Sequence, residues 1–291
     1  MTTLLKASFC SLNVRGLNQA RKRRTLFRWF HNYKFDVIFL QETYSTQNVE
    51  AIWKSEWGGN IIYSHGTNHS KGVAILFNPK LDVCIGSSEA DKNGRYLLLE
   101  ASIFESTFLF CNIYSPNDNN SQNTFFTKLR DNLRRHADMQ IVMGCDFNCA
   151  LAPLNKTGGT STERKKIVIN KIKKKLRTNY DLQDVRRSQH PRTSQYTWRN
   201  NSLKVQCRLH YWLVSKELSA LVTDSGIVTS TISDHSAITF HLQSKQYVQR
   251  GPGFWKINNS LLRDERFAQD LSSKIPEFKT RHDYLDDKGL Y

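Results

Sequence analysis

Residues 141–148 run Ile-Val-Met-Gly-Cys-Asp-Phe-Asn, an apolar stretch of strand type that ends in a carboxylate and a carboxamide. Side chains two residues apart on an extended segment point the same way, so Asp146 and Asn148 are expected to share one cleft. A carboxylate there can deprotonate a water, and an amide can hold the phosphate that the water attacks. Asp-x-Asn after a strand is also common turn chemistry, and this stretch alone leaves both interpretations open.

Other short apolar runs end in polar side chains in the same way. A predicted strand near the N-terminus leaves Asn13 and Arg15 at its end. Glu42 directly follows a second run, where a carboxylate can hold a cation or, alternatively, start a helix. A further predicted strand delivers the phenol of Tyr114 to its end. Together these positions are candidates for a site at the strand ends.

Two histidines lie in or beside predicted strands. His210 lies inside the apolar run of residues 207–215, and His235 begins another run directly after Asp234. A lone histidine in a strand is usually structural. A carboxylate beside His235, from Asp234 or from Asp224 if that residue lies alongside, would instead polarise the imidazole.

Strands that alternate with helices, together with hairpins, predict an α/β architecture with mixed sheets. The runs at residues 94–100 and 107–114 are expected to form the two arms of one hairpin. Composition changes after the last predicted strand, where a polar segment containing Gly-Pro-Gly follows. The expected organisation is one domain over residues 1–243, then a linker with a short helix, Leu261–Phe267, within residues 244–291.

The chain has 42 Lys and Arg residues against 26 Asp and Glu, a formal net charge of +16. A surplus of this size indicates a polyanionic partner, most simply nucleic acid, although it also serves solubility alone. The most basic segment, residues 163–187, has approximate helical periodicity and is interpreted as a phosphate-binding face, with a merely solvated face as the alternative. Its basic residues include Lys173 and Lys174.

A second candidate contact with DNA lies further along the chain, where Trp198 stands between Thr197 and Arg199. An aromatic ring and a hydroxyl beside cations suit a DNA groove. Placement of Trp198 in the core or in a turn is the alternative.

The composition also argues against several classes of protein. Six cysteines without a Cys-x-x-Cys pair favour reduced, intracellular thiols and make zinc improbable. No apolar run approaches the roughly 20 residues that span a bilayer, and the N-terminus lacks the pattern of a secretory signal. We therefore expect neither a membrane partner nor secretion.

Five motifs follow one another in a fixed order along the chain: Asn13–Asn18, Leu40–Thr43, Asn112–Tyr114, Tyr196–Trp198 and Ser233–Ser236. Their ordered set resembles the endonuclease/exonuclease/phosphatase superfamily, which includes the apurinic/apyrimidinic endonucleases. Within it, the set is most similar to the endonuclease domain of LINE-type non-LTR retrotransposons. Residues 251–258 also resemble the segment that these elements place before their reverse transcriptase. The chain is therefore similar to the front piece of a longer polyprotein.

The resemblance implies a fold, an activity and partners. The fold is a four-layer α/β/β/α sandwich with the site at one end of two packed sheets. The activity is a nick in double-stranded DNA that depends on Mg²⁺, with Mn²⁺ as a substitute, and leaves a 3′-hydroxyl to prime reverse transcription. The partners are the target DNA, a reverse transcriptase domain and the element RNA. The location is the nucleus, after synthesis in the cytoplasm.

The resemblance also implies roles for the candidate residues. Glu42, with help from Asn13, holds the Mg²⁺ that offsets charge on the phosphate. Asp146 orients or deprotonates the attacking water, and Asn148 fixes the scissile phosphate. His235, aligned by Asp224 or Asp234, donates hydrogen bonds to the phosphoryl oxygen as negative charge develops. Tyr114 contacts the same phosphate. The candidate DNA contacts, which rest on charge and sequence pattern as well, are Arg15, Thr197, Trp198, Arg199, Lys173 and Lys174.

Three positions depart from the pattern of the family. His210 stands where the family has an Asp that assists the leaving group or the water. A neutral imidazole adds no negative charge and a cationic one repels Mg²⁺, so the change is expected to cost about 10²–10⁴-fold, the usual scale of acid–base help. Cys145 replaces a usual Gly and is expected to crowd the backbone beside Asp146. Cys207 replaces a usual Ser and is milder.

Three functions remain open from the sequence. The first is an active nicking endonuclease, weakened by His210. The second is a catalytically inactive remnant that keeps the DNA-binding surface. The third is a relative that acts on abasic DNA in repair, or on a phospholipid or inositol phosphate, although the basic helix argues against the lipid substrates.

Overall fold

The structure is a computed structural model that describes residues 2–104, 106–159, 176, 180–230, 232–247 and 264–281. The chain divides into two compact units, one formed by residues 4–246 and the other by residues 1–3 with 247–291. The strands and the site belong to the first unit. In the second, the described helix runs over Glu265–Arg281, so it begins later and extends further than the helix predicted at residues 261–267.

The first sheet has six strands in the order β14-β15-β1-β2-β4-β3. β1 and β2 are parallel, whereas β2 with β4, β3 with β4, and β14 with β15 are antiparallel. The strands are β1 (Thr2–Asn13), β2 (Val37–Gln41), β3 (Ile61–Ser64), β4 (Val73–Phe77), β14 (Val222–Val228) and β15 (Ala237–Tyr247). This sheet is mixed, as predicted.

The second sheet also has six strands, in the order β10-β13-β8-β7-β6-β5, and only β7 and β8 are parallel among its pairs. The strands are β5 (Val83–Ala90), β6 (Tyr96–Ile103), β7 (Ser106–Tyr114), β8 (Gln140–Asp146), β10 (Leu182–Asp184) and β13 (His210–Ser215). The pairing of β6 with β7 confirms the predicted hairpin. A small third sheet has the order β11-β12-β9 and consists of β9 (Lys156–Thr157), β11 (Trp198–Arg199) and β12 (Gln206–Cys207).

Helices cover the outer faces of the two large sheets. Buried side chains of α1 and α2 pack on the first sheet, and those of α3 pack on the second. The helices are α1 (Ala20–Tyr33), α2 (Glu50–Trp57), α3 (Asn119–Leu133), α4 (Val185–Gln189), α5 (Lys216–Ser219) and α6 (Glu265–Arg281), with short 3₁₀ turns at Gln47–Val49, Arg134–His136 and Pro153–Asn155. In the described part of the chain, none of the helices has the length and apolar character needed to cross a membrane.

The largest apolar cluster lies between the inner faces of the two large sheets. Trp212 of the second sheet packs edge-on against Phe39 and Phe240 of the first, with ring centroids 5.0 and 4.9 Å apart. Such aromatic pairs bury large apolar areas and favour edge-to-face contact. The layers are therefore helix, sheet, sheet and helix, which confirms the predicted α/β sandwich.

The side chains of β8, which contains most of the stretch at residues 141–148, pack against two different layers of the fold. Because side chains alternate along a strand, Met143 and Cys145 pack in the helix-facing cluster, while Val142 and Gly144 face the other sheet. The Cys145 thiol donates to the carbonyl of Tyr211 at 3.3 Å, and burial raises its pKa. Cys145 is thus accommodated on the side of β8 away from the site, which corrects the expectation that it crowds the backbone there.

Gly144 lies at the closest approach of the two sheets. A Cβ added there would lie 2.6 Å from Cδ2 of Phe39 and 2.8 Å from Cζ3 of Trp212. We expect Gly144→Ala to lower the free energy of unfolding by about 1–3 kcal/mol, the usual cost of overpacking a core. Urea titration measures the change. The double variant with Phe39→Leu should lose less stability than the sum of the two single variants, since the smaller side chain makes room; simple additivity would contradict this account.

Candidate active site

The site lies where parallel strands of both sheets end. Asn13 on β1 pairs with Gln41 on β2, and Tyr114 on β7 pairs with Asp146 on β8. The start of β13 lies beside the end of β8, because His210 pairs with Asp146. These registers bring together residues that are distant in the sequence.

The carboxamide of Asn13 connects the two carboxylates of the site. Its Nδ2 donates to Oε1 of Glu42 at 2.8 Å and to Oδ2 of Asp146 at 2.9 Å. Its Oδ1 accepts the backbone N–H of Arg15 at 3.1 Å. Asn13 therefore holds the two carboxylates, while its own oxygen accepts one backbone hydrogen bond and keeps a second lone pair. Its help in holding a metal stays a prediction.

The carboxylate of Asp146 is wholly buried and receives hydrogen bonds on both oxygens. Oδ1 accepts the backbone N–H of Asn148 at 2.9 Å, and Nε2 of His210 lies 3.4 Å from Oδ2. Burial acts to raise the pKa of Asp146, but interactions with His210, His235 and Asn13 outweigh it, and the net effect lowers the pKa. Asp146 is therefore ionised at neutral pH and can accept a hydrogen bond from water.

Asn148 reaches the cleft through a turn. Its φ is +51°, so the backbone has left the extended conformation on which the sequence argument relied. The side-chain Nδ2 donates to the carbonyl of Ser115 at 2.8 Å, and the residue lines the cleft. Oδ1 of Asp146 thus stabilises the turn, as one of the two interpretations predicted, while Oδ2 accepts a hydrogen bond from Asn13. The action of Asp146 on a water stays a prediction.

His210 is buried between three partners. Its Nδ1 lies 2.6 Å from Oγ1 of Thr197, and its Nε2 lies 3.1 Å from Nδ1 of His235 and 3.4 Å from Oδ2 of Asp146. The two imidazole rings meet edge to face at 83°. The residue that departs from the family pattern therefore contacts both Asp146 and His235.

Asp234, and not Asp224, is the carboxylate near His235. Oδ1 of Asp234 lies 3.8 Å from Nε2 of His235, while its Oδ2 accepts a hydrogen bond from Arg15 at 2.8 Å. Asp224 is exposed on β14 opposite His241, the fifth residue of β15, whereas His235 lies before that strand begins. At about 3.3 Å per residue, the four steps from Ala237 to His241 alone span roughly 13 Å, so the predicted alignment of His235 by Asp224 is wrong.

A cleft of about 1040 Å³ opens above these residues. Its lining includes Arg15, Glu42, Tyr114, Asn148, Trp198, Arg199 and His235. The guanidinium of Arg95 lies 4.6 Å from the centre of the Tyr114 ring. Burial, and then the negative charge of Glu42, raise the pKa of Tyr114, so its phenol stays protonated and can donate a hydrogen bond.

The candidate DNA contacts divide into three groups. Trp198 is half-buried and Arg199 is exposed, and both line the cleft. Thr197 is buried and contacts His210, so its place is in the support of the site rather than at a DNA surface. Lys173 and Lys174 lie outside the described residues.

Sequence reasoning missed several supporting residues. The phenol of Tyr44 donates to Oε2 of Glu42 at 3.1 Å, and the hydroxyl of Ser233 donates to the carbonyl of Asn13 at 2.8 Å. Arg208 lies two residues before His210 in the sequence, and it forms a buried ion pair with Asp184. Proximity to Glu42 in the sequence was a signal for Tyr44, whereas the pairing of Arg208 with Asp184 depends on tertiary contact.

Solved structures with the same fold support this description. An AP endonuclease from Leishmania major superposes with a TM-score of 0.70 at 16% identity, covering 82% of this chain and 88% of that one. A 3′ phosphatase from Neisseria, solved with a product DNA hairpin, gives a TM-score of 0.63 at 20% identity and covers 83% of this chain and 100% of that one. These likenesses show that the chain shares the fold of these two proteins.

The profile of the Endonuclease/Exonuclease/phosphatase family matches residues 10–235, so the chain belongs to this family. A Xenopus laevis protein described as the Transposon TX1 uncharacterized 149 kDa protein is 27% identical over 268 residues. That match covers 91% of this chain but only 20% of the transposon protein. The predicted resemblance is thereby confirmed.

The burial of His235 leads to a test in the metal-free protein. Burial, and then the charge of His210, lower the pKa of His235, against the opposing effect of the carboxylates of Asp146, Asp234 and Glu42. In the unfolded chain a histidine binds a proton near pH 6.5, so the unfolded state takes up this proton first as pH falls. The contribution of neutral His235 to the free energy of unfolding is therefore complete above about pH 6.5. It is lost as the pH decreases towards the pKa of His235 in the folded protein.

We expect His235→Asn to reduce the loss of stability between pH 7.5 and 5.5. Urea unfolding in EDTA measures the free energy of unfolding of the wild type and the variant at each pH. If the free energy of unfolding fell equally with pH in the two proteins, the inferred lowering of the His235 pKa would be contradicted.

Proposed function

We propose that this chain is a Mg²⁺-dependent endonuclease that nicks double-stranded DNA. The observation that supports this most directly is a hydrogen-bonded chain that starts at Glu42 and passes through Asn13 to Asp146, with Glu42 and His235 lining one cleft. A phosphodiester in the cleft would meet a metal-binding carboxylate, an ionised base and an imidazole together. The net charge of +16 favours a polyanionic substrate.

Glu42 is the residue that fits Mg²⁺. Its carboxylate is partly exposed and lines the cleft, and Asn13 and Tyr44 hold its two oxygens by hydrogen bonds. Mg²⁺ commonly uses one or two carboxylates and completes its octahedron with water and substrate phosphate. When bound, the cation would offset negative charge on the phosphate. Asn13 orients Glu42 through Nδ2, and the second lone pair of its Oδ1 would help to hold the cation.

The other groups serve the proton and the developing charge. Asp146 is ionised and would orient and deprotonate the attacking water with Oδ2. His235 contacts His210 through Nδ1, which leaves Nε2 to donate towards the phosphoryl oxygen. Asn148 lines the cleft, as does the protonated phenol of Tyr114, and both would hold the same phosphate through hydrogen bonds.

The similarity to the transposon protein supports a proposal for the biological setting. We infer that the nick leaves a 3′-hydroxyl that primes reverse transcription of a non-LTR retrotransposon. In this proposal the longer product carries a reverse transcriptase domain, binds the element RNA and acts in the nucleus. The match to only a fifth of the transposon protein is compatible with such a longer product.

Nicking of supercoiled plasmid in Mg²⁺ tests the proposal. We expect Glu42→Ala and His235→Ala to abolish conversion to open circle, because they remove the metal ligand and the phosphate donor. Asp224→Asn is the matched control and should nick at the wild-type rate, since Asp224 lies away from the site. Equal nicking by wild type and both alanine variants would indicate a contaminating nuclease and remove support for the proposal.

His210→Asp separates an active enzyme from a weakened one. His210 contacts both Asp146 and His235, so the variant would restore a carboxylate to that position. If His210 impairs the chemistry, nicking should rise by about 10²–10⁴-fold. No change would refute the impairment. The alternative, a repair activity, is tested by comparing cleavage of an oligonucleotide that contains one abasic site with cleavage of the intact duplex. Preferential cleavage at the abasic site would indicate repair.

A DNA-binding remnant is the second candidate, and His210 is the observation that favours it. Arg199 is exposed at the cleft, so Arg199→Ala should reduce the salt slope of DNA binding by about one unit, the effect of losing one phosphate contact. Arg24→Ala removes the same charge from α1, where Arg24 pairs with Glu56, and should leave the slope unchanged. Fluorescence anisotropy over a salt series measures both slopes. Equal slopes for the two variants would exclude Arg199 from the DNA interface.

A further inference from the structure

Three residues beside the cleft converge in a way that the proposed Mg²⁺ site does not require. Asp146, His210 and His235 each offer one ligand atom, and these atoms all lie within 4.8 Å of one another. Asp146 and His210 are wholly buried, and His235 is 9% exposed and lines the cleft. We propose that these three residues form a site for a transition-metal dication such as Zn²⁺, separate from the oxygen site at Glu42.

The distances within this trio match the edges of a tetrahedral metal site. Nε2 of His210 lies 3.1 Å from Nδ1 of His235 and 3.4 Å from Oδ2 of Asp146. Four-coordinate Zn²⁺ with bonds of about 2.0–2.1 Å has ligands about 3.3–3.4 Å apart. Two of the three separations are therefore already close to those of a bound ion, and the third is at most 4.8 Å.

The surroundings of both imidazoles supply the outer partners that metal-binding histidines use. A ligating histidine directs its second ring nitrogen, as a donor, to a carboxylate or another oxygen. Nδ1 of His210 faces Oγ1 of Thr197 at 2.6 Å, and Nε2 of His235 faces the carboxylate of Asp234 at 3.8 Å. Thr197 and Asp234 thus lie where they would orient the two rings towards a common ion.

The chemistry of the donors selects the class of metal. Imidazole nitrogen suits Zn²⁺ and neighbouring transition metals, whereas Mg²⁺ prefers oxygen ligands. Two imidazoles and one carboxylate leave a fourth position on a tetrahedral ion, and His235 is the one of the three residues that lines the cleft. Three protein ligands with one open position are typical of catalytic rather than structural zinc.

His210 is the residue that creates this site. An aspartate at position 210 would give two carboxylates and one histidine, whereas His210 gives two nitrogen donors. Cysteine usage argued against zinc from the sequence, and the trio uses no cysteine. The histidine that would weaken Mg²⁺ chemistry would thus give the site a preference for softer metals.

Titration of the full chain with Co²⁺ tests the proposal without reference to nicking. The wild type should develop visible absorption typical of four-coordinate Co²⁺, saturating at one equivalent, and Zn²⁺ should displace it. His210→Asn and His235→Asn should lower the affinity by more than the about 10–100-fold that loss of an outer partner costs. Circular dichroism establishes that each variant is folded, and His235→Asn provides the test if His210→Asn is not.

Two control variants separate this site from others on the chain. Glu42→Gln should keep the Co²⁺ spectrum, because Glu42 belongs to the proposed Mg²⁺ site. His136→Asn removes a histidine that pairs with Glu100 at 3.0 Å elsewhere in the fold, and it should also keep the spectrum.

The proposal is overturned if the wild type binds neither Co²⁺ nor Zn²⁺ at micromolar concentration, which would leave only a hydrogen bond between the histidines. It is also overturned if folded His210→Asn and His235→Asn give the wild-type spectrum. Nicking in Mg²⁺ without binding of Co²⁺ would retain the nuclease and reject this site, whereas the reverse result would retain the site and reject the nuclease.

Discussion

The hydrogen bonds from one carboxamide, that of Asn13, to Glu42 and Asp146 are the interaction on which the site depends. Asp146 carries its charge without exposure to solvent, and a buried charge is tolerated only when it is paired and hydrogen-bonded. Asn13 supplies one donor from the first sheet, while the backbone of Asn148 and the imidazole of His210 supply others from the second. The same contacts therefore join the two sheets and keep Asp146 ionised.

A second group of buried hydrogen bonds, centred on Asn112, also joins the two large sheets. Asn112 on β7 accepts a hydrogen bond from Gln41 at 2.7 Å and donates to the carbonyls of Leu40 and Ala74 at 3.0 and 2.8 Å. Because buried polar groups are costly when unpaired, these bonds disfavour sliding of one sheet over the other. The aromatic core at Trp212 then fills the space further from the site. The position of the strand ends thus depends on both polar specificity and apolar packing.

His210 changes the balance of charge within this frame. A carboxylate there would lie beside the carboxylate of Asp146, at the position where the imidazole now lies 3.4 Å from it. The imidazole instead favours the ionised form of Asp146 and lowers the pKa of His235, after the larger effect of burial on that histidine. One substitution therefore affects the proposed base, the phosphate donor and the metals that the site favours. Its effects are concentrated because all three groups share direct contacts.

The sequence by itself determined the α/β class, the strands that end in polar residues and the family, because alternation and order along the chain are local properties. It also indicated Glu42, Asp146 and His235 as one site. Only the tertiary structure decided that Asp234 rather than Asp224 faces His235, that Thr197 supports His210, and that Cys145 faces the helices. Those outcomes depend on strand register and on the packing of two sheets, which are set by contacts between residues far apart in the chain.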